Sequence, residues 1–223
     1  MNQEYTDEER GEKLRQWWQS NWRGLVTGVL IALLALFGWR GWQSYQHQQR
    51  LDASAQYQTM LSKIEQDQPA AAREMGYGLR DDYANTPYAL LASLALAQLE
   101  VQREQPEAAK QALRWVIEHA DRPAYEELAR IRLARLLVAT DKAQAALQAL
   151  DAIPPESVYT SLAEALRGDA HRALGELDKA RVAYDRALAT SQQSSAYLEM
   201  KRAELGRVEP AASGEPAAAA ATP

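Results

Sequence analysis

The chain has 223 residues, no cysteine, and 25 Lys/Arg against 30 Asp/Glu. Without cysteine there is no disulfide framework and no thiolate chemistry. Residues 1–42 hold five charges of each sign, so the net charge of −5 falls entirely on residues 43–223. An acidic body of this kind argues against nucleic acid as a partner, because phosphate neutralisation needs a basic face.

Five of the six tryptophans bracket one apolar stretch. Trp17, Trp18 and Trp22 precede it, and Trp39 and Trp42 close it, with Arg40 inside the second group. Indole rings prefer the bilayer–water boundary, where the ring is half buried and its N–H stays wet. As a helix, residues 24–42 rise roughly 28 Å, close to a hydrocarbon core of about 30 Å. The segment is therefore expected to span a membrane, with Trp17, Trp18, Trp22, Trp39, Arg40 and Trp42 at its interfaces. Small residues are missing where a signal-peptide cleavage site would need them, so an uncleaved anchor is expected. Arg10, Lys13, Arg15 and Arg23 lie before the span, against Arg40 and Arg50 after it. That bias puts residues 1–23 in the cytoplasm and residues 43–208 across the membrane, in the periplasm of a bacterium.

Beyond the span, apolar residues recur every three or four positions and strand signals are nearly absent. The first helix is expected to run on to about Gln66, with Leu51, Ala55, Met60, Leu61 and Ile64 on its apolar side. A weak helix, loosened by Gly76 and Gly78, follows from Ala70 to about Asp82. Thr86-Pro87 reads as an N-cap with proline at the first helical position, opening a helix to about Glu100. Pro106 opens the next, to His119, and Pro123 another, to about Ala139. Asp141 is placed to cap a helix to Asp151, and Pro154-Pro155 then breaks the chain. Further helices are expected over Ser157–Leu174, Glu176–Thr190 and Ser195–Leu205. The tail Glu209–Pro223, rich in alanine and proline, is expected to be disordered, because it has too little apolar surface to offset the entropy of ordering.

The helices form antiparallel pairs, and the pairs repeat. Gly168, Ala180, Tyr184 and Ala187 follow the small–small–large–small spacing of the tetratricopeptide pattern. The small residues let two helices approach, and the tyrosine fills the gap one turn on. The second-helix triad recurs as Ala143, Leu147, Leu150 and as Ala109, Leu113, Val116. The matching small residue of the first helix is Ala97 in one pair, but Ile131 departs from the pattern. The pair around Gln43–Asp82 is expected to be an irregular N-terminal cap. The fold class is thus all-α: one transmembrane helix, then a tetratricopeptide-like repeat domain.

Several segments together are similar to one family. They are Phe37-Gly-Trp-Arg-Gly-Trp42, Tyr88-Ala-Leu-Leu-Ala-Ser-Leu-Ala-Leu-Ala-Gln98, Arg132-Leu-Ala-Arg-Leu136 and Leu198-Glu-Met-Lys201. In this order and spacing they resemble the YfgM family, ancillary subunits of the bacterial SecYEG translocon. The resemblance implies a single-span inner-membrane protein with a periplasmic repeat domain. It also implies association with the translocon and with PpiD, a membrane-anchored periplasmic chaperone of parvulin type, to which emerging polypeptides are handed on.

No catalytic motif accompanies this pattern. His47, His119 and His171 show no metal-ligand spacing, no phosphate-binding or nucleophile-elbow motif occurs, and Asp81-Asp82 reads as an exposed helix end. No enzyme activity, no cofactor and no small-molecule substrate are expected. Binding is the remaining use of such a stack, along first-helix positions that the core triad leaves free. These are Leu91, Leu94, Gln98, Tyr125, Leu128, Arg132, Arg135, Asp169 and Arg172. Arg132 and Arg135 would pair with a partner's carboxylates, and Tyr125 and Leu128 would take an apolar anchor. The alternative is that the leucines pack on the first helix and the arginines are solvated. A second functional reading makes the protein a regulator, with residues 1–23 sequestering a stress-response signalling factor in the cytoplasm.

Overall fold

The computed structural model describes residues 7–191 and 196–205. The expected disordered tail, the first residues of the cytoplasmic segment and the start of the last helix lie outside them. Every element among the described residues is an α-helix: α1 Asp7–Glu65, α2 Pro69–Asp82, α3 Pro87–Gln102, α4 Pro106–His119, α5 Pro123–Ala139, α6 Ala143–Asp151, α7 Thr160–Ala173, α8 Leu177–Thr190 and α9 Ala196–Glu204. The chain divides into two compact units between Asp52 and Ala53.

In the N-terminal unit, α1 is a continuous helix long and apolar enough to cross a membrane, and its apolar window buries nothing. Val29, Leu34 and Phe37 are exposed, as are the five bracketing tryptophans and Arg40. By length and composition this stretch is suited to crossing a membrane.

In the second unit, the residues from Ala53 onward build a stack of antiparallel helix pairs around one core. Met60, Leu79, Leu96, Leu113, Ile131 and Leu150 are fully buried there. Each contributes about 1.5–3 kcal/mol by leaving water. Four helices open with proline at the first or second position (α2, α3, α4 and α5), where a missing N–H leaves no bond unmade. Thr86 holds the N-cap position of α3 as expected, but its hydroxyl donates to the Tyr83 carbonyl (2.8 Å) instead of capping the helix.

The turns inside the pairs set the repeat frame. The N–H of Gln68 bonds the Lys63 carbonyl, Gln105 that of Glu100, Lys142 that of Leu137 and Glu176 that of His171. The residue before each donor has positive φ: Asp67, Glu104 and Asp141 at 57°, Gly175 at 76°. This is the left-handed helix terminus that satisfies carbonyls left over at a helix end. Asp141 is therefore a turn residue and caps nothing. Lys142 occupies the cap position, with no side-chain capping bond.

The frame corrects the second pair. Counted from the turns, the small second-helix residue is Ala146 rather than Ala143, and Leu150 and Ile153 follow it. The first-helix partner is Ala134, fully buried, so the departure at Ile131 disappears. The full series is Ala72, Ala109, Ala146 and Ala180, spaced 37, 37 and 34. The double proline Pro154-Pro155 lies in the shortest interval, between α6 and α7, and α7 starts at Thr160, past the expected start at Ser157. Ser157 instead holds the loop, donating to Glu127 and accepting from the Tyr159 N–H.

The same frame makes the first pair a full repeat. The apolar side of α1 in this unit is Ala53, Tyr57, Met60 and Ile64, while Leu51 and Ala55 are exposed. Gly76 is a close-approach site as well as a weak helix former: a Cβ there would lie 2.6 Å from Leu96 Cδ1 on α3. Arg73 of α2 clamps Glu100 of α3 with two hydrogen bonds (2.6 and 2.7 Å), and Glu100 is only 2% exposed. Arg80 lies between the rings of Tyr77 and Trp115, 5.2 Å from each, and donates to Ser93 (2.8 Å). His119 stacks on the other side chain of that seam, Trp115, at 4.2 Å.

Candidate functional site

The nine expected binding residues separate into three groups. Leu94 is buried in the core and offers a partner nothing, and Leu91, Tyr125 and Leu128 are half-buried, the last two packed against that core. Tyr125 and Leu128, the expected apolar anchor site, thus turn part of their surface to the protein's own interior.

Asp169 and Arg172 are taken up by α9. The Asp169 carboxylate accepts from Lys201 Nζ at 2.6 and 2.8 Å and from the Tyr184 hydroxyl at 2.7 Å. Burial pushes the Tyr184 hydroxyl well above the usual phenol range, and its bond to Asp169 adds to the rise. Arg172 bonds Glu204 at 3.2 Å. Beneath these contacts Leu198 and Leu205 close a small second core over Ala165, Ala180, Tyr184 and Ala187. These two polar residues secure the end of the stack.

Gln98, Arg132 and Arg135 come together. They line one cavity of about 490 Å³ between α3, α4 and α5, whose other walls are Ala97, Val101, Leu113, Leu136 and Ala139. The volume falls within the range of roughly 300–1,000 Å³ typical of ligand pockets. Its lining is apolar apart from Gln98 and the two arginines. Arg132 makes one long hydrogen bond, to the Leu94 carbonyl at 3.4 Å, and Arg135 makes none with a described residue. Burial raises the Tyr57 hydroxyl pKa, and the nearby charge of Arg132 acts against that rise.

Sequence reasoning missed the apolar walls. Their signal was present, since Val101 lies three residues after Gln98, and Leu136 and Ala139 lie four residues after Arg132 and Arg135, one helical turn on. Leu136 reads equally well as core, and it is mostly buried, so the sequence does not distinguish wall from interior.

Several other cations in this unit meet carboxylates. Arg130 pairs with Glu126, Arg167 with Glu164, and Arg103 with Asp67. Lys110 and Lys142 converge on Glu107, and Lys179 and His171 on Glu176. These partners hold both carboxyls below the ordinary range, Glu107 chiefly through Lys110 and Glu176 chiefly through Lys179.

A family model described as a tetratricopeptide repeat-like domain matches residues 15–207. The chain belongs to this family. The matched stretch takes in the apolar helix as well as the repeats, so both are parts of one family architecture. No curated protein and no solved structure matches the chain. A tetratricopeptide repeat-like stack serves protein–protein interaction, and the geometry agrees with that use. It has an open, apolar cavity with polar groups at its edge.

Proposed function

We propose that this tetratricopeptide repeat-like protein is a membrane-anchored scaffold of YfgM type. In this reading α1 crosses the bacterial inner membrane with residues 1–23 in the cytoplasm, and the repeat domain lies in the periplasm. The domain joins the SecYEG translocon to a PpiD-type chaperone, so that emerging polypeptides pass from one to the other. One observation carries the reading: a helix whose long apolar window is unburied precedes, in the same family match, a repeat stack with an open cavity. The lysine and arginine bias around the span supports the orientation, and the segments shared with the YfgM family support the partners.

Photo-crosslinking in intact bacterial membranes tests it. A crosslinking amino acid at Gln98, which is exposed on the cavity edge, is expected to capture a translocon subunit or a parvulin-type chaperone. Correct membrane insertion without either product would refute the assignment. A periplasm-dependent reporter fused after Thr190 is expected to be active, and activity confined to the cytoplasmic form would reverse the orientation.

A further inference from the structure

The first-helix surface changes its charge state along the stack. In the turn-based frame, Gln98, Arg135 and Asp169 occupy equivalent positions, each one residue after the small residue of its helix. Asp169 is neutralised within the protein by Lys201, and its neighbour Arg172 by Glu204. Arg135 and the adjacent Arg132 have no such partner: α3 offers them Gln98 and Val101, and the carboxylate of Asp169 is taken by α9. Two guanidinium groups therefore face an apolar cavity without a carboxylate. Val101, half exposed, leaves the apolar wall open to solvent at the same place.

We propose that this cavity takes a short partner segment carrying one carboxylate beside an aliphatic side chain. Arg132 and Arg135 bind the carboxylate, and the aliphatic group rests on Val101, Leu136 and Ala139. The proposal rests on the reading of the protein as a scaffold and names the chemistry of what it holds. An ion pair formed against an apolar wall is less screened than one on an open surface, and a guanidinium offers a carboxylate two parallel bonds. The wider charge limits the partner further. Residues 43–223 carry an excess of five negative charges, so a strongly acidic partner is repelled as a whole. The fitting segment is one acidic residue within an apolar, otherwise neutral or basic stretch.

Selection of a random dodecapeptide library on the full-length chain in lipid nanodiscs tests this. Peptides from the unaltered protein are expected to be enriched in Asp or Glu next to Leu, Ile or Val. They are expected to lose about tenfold or more in affinity on Arg132→Glu/Arg135→Glu, and to weaken as salt rises. The same selection repeated on that double variant is expected to return basic peptides, with an unchanged far-UV circular dichroism spectrum and unfolding midpoint showing that the variant is folded. Val101→Asp, which places a carboxylate inside the cavity at an exposed position, is expected to block the acidic peptides as well. Enrichment of purely apolar or basic peptides on the unaltered chain would overturn the proposal, as would equal binding to the reversed pair. So would a self-association of the chain in nanodisc-free detergent that Val101→Asp abolishes, since the cavity's occupant would then be a second copy. Crosslinking to translocon or chaperone that survives Arg132→Glu/Arg135→Glu unchanged would defeat this proposal while leaving the scaffold reading intact. Absence of those crosslinks with normal peptide selection would do the reverse.

Discussion

In the last helix pair α7 presents Gly168 to Tyr184 of α8, and a Cβ on the glycine would lie 2.4 Å from the tyrosine ring. In the first pair the equivalent positions are reversed in size, with Met60 on α1 and Gly76 on α2. The two middle pairs hold an even compromise, Ala97 with Leu113 and Ala134 with Leu150. The room opened by Gly168 is filled from within its own pair, by a ring whose hydroxyl is tied to Asp169. The room opened by Gly76 is filled from the next pair, by Leu96. A repeat frame thus conserves the backbone turn and the total filling of the seam, not the identity of the residue that fills it.

Five measurements break or sharpen this comparison. Tyr184→Ala empties the last seam and removes a fully buried ring, so denaturant unfolding is expected to show a loss of about 3–5 kcal/mol. Arg73→Met, beside the first seam, strands the buried Glu100 carboxylate and is expected to lose about 3 kcal/mol in the same assay. Adding Glu100→Leu should recover most of that loss. Gly168→Ala should lose about 2 kcal/mol, because a stiff, anchored ring must yield. Gly76→Ala should lose clearly less, since Leu96 is an aliphatic chain and alanine favours the helix by about 1 kcal/mol over glycine. Equal losses at the two glycines would show that the seams are not packed differently. Next, Gly168→Ala combined with Tyr184→Leu gives the last pair the composition of the middle two. A double-mutant cycle is expected to show about 1 kcal/mol of favourable coupling, and strict additivity would count against a shared seam.

The smallest effect is an acid one. Glu107 and Glu176 ionise more readily in the folded chain than the ordinary carboxylate at 4.5. Depressed folded values contribute stability that is fully present above the unfolded pKa and is lost as pH falls through the folded one. Glu107→Gln should therefore lower stability slightly at neutral pH, flatten part of the decline below about pH 4.5 and converge with the unaltered protein in stronger acid.

Much of this architecture was readable in the residues. The prolines at 87, 106 and 123 mark helix starts because a fixed φ and a missing N–H are harmless there, whereas Pro69, at the start of α2, precedes the expected start at Ala70. Gly168, Ala180 and Tyr184 stand out because no other spacing of such sizes occurs nearby. The frame of the second pair is hidden because Ala143, Ala145, Ala146 and Ala149 offer several small residues, and Ala143, 34 residues after Ala109, fits a repeat as well as Ala146 does. The turns that decide the frame use Asp67, Glu104 and Asp141 in a left-handed conformation usually taken by glycine, so composition does not announce them. For the cavity, the basic residues were legible and their freedom was not. Asp169 and Arg135 look alike as exposed charges in the sequence. Only the placement of α9 shows that one is consumed internally and the other is left open.

The seam of Arg80, Trp115 and His119 has an optical consequence. Trp115 is the one tryptophan after residue 42, and it touches a guanidinium from α2 and an imidazole from its own helix. With the five tryptophans around the apolar stretch replaced, its emission would report directly on the seam between the first two helix pairs. The protein thus carries its own probe for whether that seam loosens when the cavity between α3, α4 and α5 is occupied.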